Sequence, residues 1–218
     1  MEYAAWFRLF LPGLVRLSLP IPLGGTTLFL RRDAVLEVGA WDAHNVTEDA
    51  DLGLRLARRG WQTGMLPSVT MEEANCRPLP WIKQRSRWTK GYLMTWLVHM
   101  RAPAALLRDL GPRRFIAVQM LILGSLMQGI ATPVLWSLWL VAFGLPHPVL
   151  ELVDRETLLS LTPLLLSLNL LDFALAALAM RRAGHRVPWP WLPLLKPYAL
   201  LTSFAAAKAL VEAVTCPF

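Results

Sequence analysis

The sequence predicts a small α/β cytosolic domain that runs directly into interfacial and transmembrane helices. Two observations predict it. Apolar residues make up 55% of the 218 and ten are tryptophan, more than an ordinary soluble domain carries. Most charged side chains lie before Phe115, so a polar, loop-forming part precedes a part dominated by apolar stretches. The net charge of +7 does not point to nucleic acid, because the basic residues are dispersed and flank apolar runs instead of forming one stripe. A cytoplasmic-leaflet surface accounts for them. Cys76 and Cys216 are far apart and have no metal-ligand pattern around them, which predicts neither a disulfide nor a zinc site and leaves both as packing residues. Residues 1–6 lack the charged and apolar regions of a signal peptide, and neither end carries a cap or polar tail. The chain is therefore expected to begin inside a longer polypeptide.

Each element follows from local pattern. Gly24-Gly25 precede Thr26 to Leu30, a β-branched and apolar run that reads as a buried strand. Asp33 reads as a helix cap, followed by Ala34 to Val38 and stopped by Gly39. A second helix is predicted over 50–59, with Leu52 and Leu56 on one face and Gly60 at its end. Its acidic start (Glu48, Asp49, Asp51) and basic finish (Arg55, Arg58, Arg59) suit the macrodipole. Thr63 to Met71 reads as another strand, interrupted by Pro67.

The stretch from Pro80 to Met100 carries Trp81, Trp88 and Trp96 and reads as an interfacial helix. From Phe115 to Leu150 there is no Asp, Glu, Lys or Arg, and the 115–143 portion exceeds the roughly 20 residues needed to span a bilayer. Pro133 is expected to kink or divide this span. A second span is predicted over 158–180, interrupted by Asp172, which either pairs with Asn169, stays hydrated near the headgroups, or lines a polymer channel. Arg113-Arg114 and Arg181-Arg182-Arg186 place both outer ends in the cytoplasm. Residues 187–218 read as a helix lying on the membrane, with a third span as the alternative; Lys208 and Glu212 stand at i,i+4 spacing.

Two motifs carry candidate chemistry. Thr47-Glu48-Asp49 puts two carboxylates just before a helix, where backbone N–H groups can hold an ionised side chain as a general base; read alone, it is Thr47 capping a helix beside solvated acids. Gln84-Arg85-Ser86-Arg87-Trp88 puts Gln84, Arg87 and Trp88 on one helical face, an amide donor, a planar cationic fork and an aromatic plate. The bland reading is an interfacial tryptophan with basic neighbours facing lipid. Glu72, Glu73 and His99 read as surface acids and an interfacial histidine.

The combination resembles the family 2 membrane glycosyltransferases, the group that contains bacterial cellulose and hyaluronan synthases. The resemblance is densest in Gly24-Gly25-Thr26, Val38 to Asp42, Asn45 to Asp51 and Gln84 to Gly91. It implies that residues 1–79 are the acceptor side of a partial GT-A-like domain, that 80–114 form the interfacial region with the Gln-x-x-Arg-Trp motif, and that 115–186 are transmembrane. It implies an inverting, cellulose-synthase-like hexosyltransferase at the cytoplasmic face of the inner (plasma) membrane. Asp49 would be the catalytic base, Glu48 and Trp88 would bind acceptor, and Gln84 and Arg87 would bind diphosphate. Nucleotide sugar, glycan and bilayer are the implied partners, with glycan-synthase or export subunits beside them. The resemblance places the metal Asp-x-Asp upstream, so Asp49-Ala50-Asp51 is not read as that motif. A divalent Mg2+ or Mn2+ is expected of the whole enzyme, with its ligands outside this chain. The chain alone is expected to be incomplete and inactive, or else a non-catalytic remnant or subunit of a glycan synthase.

Overall fold

Glycine and proline punctuate a chain that is otherwise free to coil into helices, and the computed structural model, which describes residues 1–215, shows helices joined by turns. A helical stretch opens the chain: α1 (Glu2–Ala5), a π-helical turn (Trp6–Phe10) and α2 (Leu11–Arg16). It leaves Phe7, Phe10 and Leu17 exposed, and the sequence reading assigned it no element. Two short helices follow, α3 (Arg32–Glu37) and α4 (Glu48–Arg58). Gly39 and Gly60, at φ +79 and +81, end them as predicted. Asp33 does not cap α3; Arg31 holds that position and Asp33 lies in the first turn.

Neither predicted strand forms, and among the described residues there is no strand at all. The runs at 26–30 and 63–71 do approach each other, but through a 2.7 Å hydrogen bond between the Thr27 and Thr70 hydroxyls. A strand needs a partner ladder for its backbone groups, and these two short exposed runs form none. The α/β expectation is thereby corrected to a helical structure over the described residues.

Helix α4 is buried on nearly every side. Leu52 and Leu56 face Leu23 and Ala34, while Leu54 and Ala57 face Leu106, Leu110, Val118 and Ile122. The second cluster joins α4 to α5 (Pro78–His99) and α6 (Pro103–Ser137), with Tyr92, Trp96 and Phe115 packed around it. A helix this short is marginal by itself; burial on two faces is what stabilises it.

In α6 the helical geometry breaks at Gly111 (φ +75), just before Pro112, and passes through Pro133 without a break. Proline lacks the N–H and its ring restricts the preceding residue, so glycine before proline is where a long helix can bend. The expected division at Pro133 is therefore replaced by one at Gly111, which separates residues 103–110 from the apolar remainder. Helix α7 (Trp139–Ala142) follows, then a 3-10 turn (Pro148–Glu151), α8 (Arg155–Ser160) and α9 (Thr162–Arg182). Asp154 caps α8, its carboxylate accepting from the Thr157 N–H at 2.7 Å. A final 3-10 turn (Trp189–Leu194) leads into α10 (Leu195–Thr215). Among the described residues, three stretches are long and apolar enough to cross a membrane: Pro103–Ala142, Arg155–Arg182 and Trp189–Thr215.

Helix α10 packs along both α5 and α6. Ala205, Ala206 and Ala209 are buried in that contact. Trp81, expected at the headgroups, is instead buried edge-on against Tyr198, with ring centroids 5.1 Å apart. The predicted Lys208–Glu212 pair forms, and Glu212 also accepts from the wholly buried Ser86 hydroxyl at 3.1 Å. Asp172 pairs with Lys196 rather than Asn169, whose amide donates to the Leu165 carbonyl. Cys76 is exposed rather than packed, and Cys216 lies outside the described residues.

The α6–α10 contact depends on Gly129, where a Cβ would stand 2.7 Å from the Ala206 Cβ and 3.3 Å from the Thr202 carbonyl oxygen. Backbone cannot yield as a side-chain tip can, so Gly129→Ala should lower stability by about 1–3 kcal/mol. Thermal unfolding in detergent checks this; an unchanged midpoint would show that the two helices separate freely.

Candidate functional site

The site is built where the start of α4 meets α5. Asn45 organises the approach: its side-chain oxygen accepts from the Thr47 backbone N–H at 3.0 Å and from the Thr47 hydroxyl at 3.3 Å, a turn that asparagine favours. Its amide donates to the Thr95 hydroxyl on α5 at 2.7 Å. Thr47 is buried and does not cap α4 with its side chain, contrary to the capping reading. It packs instead on Gly91, where a Cβ would lie 2.6 Å from both the Thr47 methyl and hydroxyl. Glycine is what lets the two helices close to this distance.

Asp49 follows in the first turn of α4. One carboxylate oxygen accepts from the Ala50 N–H at 2.7 Å, and the other lies 3.4 Å from where a Cβ on Gly25 would sit. The glycine loop is thus a close neighbour of this carboxylate. Burial pushes the Asp49 pKa above its ordinary value; the Ala50 N–H opposes that shift and the neighbouring Glu48 charge adds to it.

Asp51, two residues on, is buried and turned into the protein. Its carboxylate accepts from the Arg55 guanidinium at 2.7 Å and lies 2.9 Å from His99 Nε2. Burial alone would raise its pKa, but the His99 and Arg55 hydrogen bonds outweigh burial and hold it below the ordinary value. The network extends further: Arg58 lies 3.0 Å from His99 Nδ1 and pairs with Asp109 of α6 at 2.6 Å. Arg55 also donates to the Val38 carbonyl. His99 is therefore a buried network residue, not the interfacial one expected.

On α5 the contacts to α4 fall at Gly91, Thr95 and His99, one helical row. Trp88 and Gln84 lie on the same row, about one and two turns before Gly91. Tyr92 joins them: burial, and then the nearby Asp49 charge, push its phenol up to about 12, with Arg85 opposing. Gln84 accepts from the Asn75 amide at 3.1 Å. Trp88 is half-buried, and Arg87 is exposed with no hydrogen bond or ion pair among the described residues. Glu72 and Glu73 are exposed, as expected.

Sequence reasoning missed Arg85 as a structural anchor. Its guanidinium lies over three rings, 4.6 Å from Trp88, 5.2 Å from Trp81 and 5.9 Å from Tyr3, and it pairs with Glu2 at 2.8 Å. The signal was present, since Trp81 and Trp88 stand at i−4 and i+3 from it. Tyr92, at i+4 from Trp88, was legible in the same way.

The residues present do not fit a metal ion. Asp51 is committed to His99 and Arg55, so Asp49-Ala50-Asp51 does not offer two carboxylates to one cation. Among the described residues no group of three His, Cys, Asp or Glu side chains could hold one.

Residues 3–206 match the glycosyl transferase family group 2. A cellulose synthase catalytic subunit (UDP-forming) of Komagataeibacter sucrofermentans is 39% identical over 75 residues, 34% of this chain and 10% of that protein. The beta-monoglucosyldiacylglycerol synthase of a Synechocystis species is 31% identical over 134 residues, 58% of this chain and 27% of the relative. A probable glycosyltransferase of Bacillus subtilis, YdaM, is 31% identical over 68 residues, 31% of this chain and 16% of the relative. The matched segments thus span between a tenth and about a quarter of these relatives. No solved structure matches. The match over residues 3–206 shows that the chain belongs to glycosyl transferase family group 2.

Proposed function

We propose that this chain supplies the acceptor side of an inverting transferase that passes a sugar from a nucleotide-sugar donor to a growing β-linked glycan at the cytoplasmic face of the inner membrane. The observation that carries the reading is the single row on α5 that docks against Thr47 and Asp51 and then continues to Trp88 and Gln84. Asp49 is the general base: an acceptor hydroxyl must lose a proton as it attacks the anomeric carbon opposite the departing diphosphate. A carboxylate held above its ordinary pKa is the stronger base for that step. Glu48 supports the acceptor beside it. Trp88, its ring backed by Arg85, is the plate for the terminal sugar. Arg87 and Gln84 reach the diphosphate, and the exposed, planar Arg87 fork is suited to phosphate oxygens.

Sugar incorporation by membranes of cells expressing the complete gene product tests the assignment. Asp49→Asn should lower turnover roughly a hundredfold or more, the range lost with a general base. Trp88→Ala should weaken acceptor use by about tenfold, near 1.4 kcal/mol. Undiminished synthesis by both variants would sink the reading, and micromolar binding of a nucleotide sugar to residues 1–218 alone would move donor recognition into this chain.

The pKa direction gives a second expectation. Since Asp49 must be ionised to act, the rate should rise with pH along a limb above 3.8, and Asp49→Asn should abolish that limb. A folded-state pKa above the unfolded value means that ionisation disfavours the fold, with that contribution to stability present at low pH and lost as pH rises through the folded pKa. Asp49→Asn should therefore keep or raise the unfolding midpoint at neutral pH while activity falls. A large loss of stability in this variant would mark Asp49 as a structural residue.

Gly91→Ala should separate the two motifs by forcing Thr47 away from α5. Its turnover should fall at least about tenfold, because small misplacements of reacting groups are costly to rate. Wild-type turnover would show that the contact does not set the site.

A further inference from the structure

We propose that His99 and Asp51 form a buried latch that positions Asp49, a role that rests on the reading of Asp49 as the base. The tautomer of His99 follows from its partners. An arginine guanidinium only donates hydrogen bonds, so Nδ1, 3.0 Å from Arg58, must accept. The ring proton then sits on Nε2 and is donated to Asp51 at 2.9 Å. His99 and Asp51 are 6% and 5% exposed, so neither can exchange its partner for water. The ring is thus read on both nitrogens and has one orientation.

The latch joins four elements. Asp51 belongs to the first turn of α4, His99 closes α5, and Arg58 carries the chain on to Asp109 in the part of α6 before the Gly111 break. Arg55 returns from Asp51 to the Val38 carbonyl, tying in the end of α3. Asp49 is two residues from Asp51 in a single helical turn, so a rotation or slide of α4 that moved one carboxylate would move the other. The latch does not touch the acceptor face; it acts by fixing the direction in which Asp49 points. A weaker latch should therefore lower turnover and leave donor binding alone.

The test uses membranes containing the complete gene product with three variants. His99→Phe keeps the ring and removes both polar contacts; His99→Gln restores a donor at the Nε2 position; Asp49→Asn is the control for the base. His99→Phe should lower kcat per folded molecule roughly ten- to a hundredfold, with KM for the nucleotide sugar within about twofold. His99→Gln should regain most of that loss. Wild-type kcat in His99→Phe, a glutamine variant no better than phenylalanine, or a loss carried by KM overturns the latch. If Asp49→Asn leaves synthesis intact, the reading of the base fails first, and hydrogen exchange at the amides of residues 47–52 tests the latch independently. His99→Phe should speed that exchange and His99→Gln should not; equal exchange in all forms overturns the proposal. Should His99→Phe fail to accumulate, His99→Asn, polar but too short to reach Asp51, replaces it with the same expected outcomes.

Discussion

The close docking of α4 on α5 is the constraint on which the rest of the site depends. Three residues of α5 on one row, Gly91, Thr95 and His99, meet Thr47, Asn45 and Asp51. The glycine sets the distance and the two polar contacts set the register. A slide of one turn along α5 would bury the Asp51 carboxylate without its histidine and put Thr47 against a side chain instead of Gly91. An uncompensated buried charge is among the most destabilising defects a fold can carry, so the alternatives are disfavoured far more strongly than apolar packing alone could achieve. Because the row is continuous, the same register fixes Trp88 and Gln84 relative to Asp49.

Helix α5 is held from its other flank as well. Ser86 is wholly buried and bonded to Glu212, Trp81 packs edge-on against Tyr198, and both partners lie on α10. Helix α10 in turn meets α6 at Gly129, and Lys196 near its start pairs with Asp172 of α9. The helix bearing the second motif is therefore tied on one flank to the helix bearing the first and on the other to an apolar helix long enough to cross a bilayer, while α4 also packs directly on α6. Polar links inside such a bundle are directional where apolar contacts are not, and here they connect Ser86, within the motif itself, to an apolar helix.

Much of this was legible in the sequence. The helix read over 50–59 and found over 48–58 with its charge asymmetry, the long helix of the second motif, the two long apolar stretches and the Lys208–Glu212 pair all follow from periodicity, capping and length. The stops at Gly39 and Gly60 did too, because a positive φ is what glycine supplies most readily. What failed depended on long-range partners. Thr26 to Leu30 and Thr63 to Met71 have strand composition, yet a strand exists only where a ladder is available, and composition carries no information about that. His99 was read as interfacial because its acidic partner lies 48 residues away. Asp172 was left between a neighbour one turn off, the headgroups and a channel, whereas its cation comes from the start of α10. Arg85 is the instructive miss: its aromatic neighbours were at readable spacing, but the motif drew attention to the residues around it.

The two aspartates of Asp49-Ala50-Asp51 show how one helical turn can divide identical side chains between two tasks. Two residues on a helix are rotated by about 200°, so they face nearly opposite sides. Asp51 faces inward to a histidine and an arginine, and its pKa is held down; that stability is present above 3.8 and lost as pH falls through the lower folded value. Asp49 faces the glycine loop with no cation bonded to it among the described residues, and its pKa is pushed up. One carboxylate stabilises the fold by being charged, while ionising the other disfavours the fold. Environments that drive two like groups apart in this way separate structural from reactive roles, and on the proposed assignment of Asp49 as the base the structural member holds in place the helix that carries it.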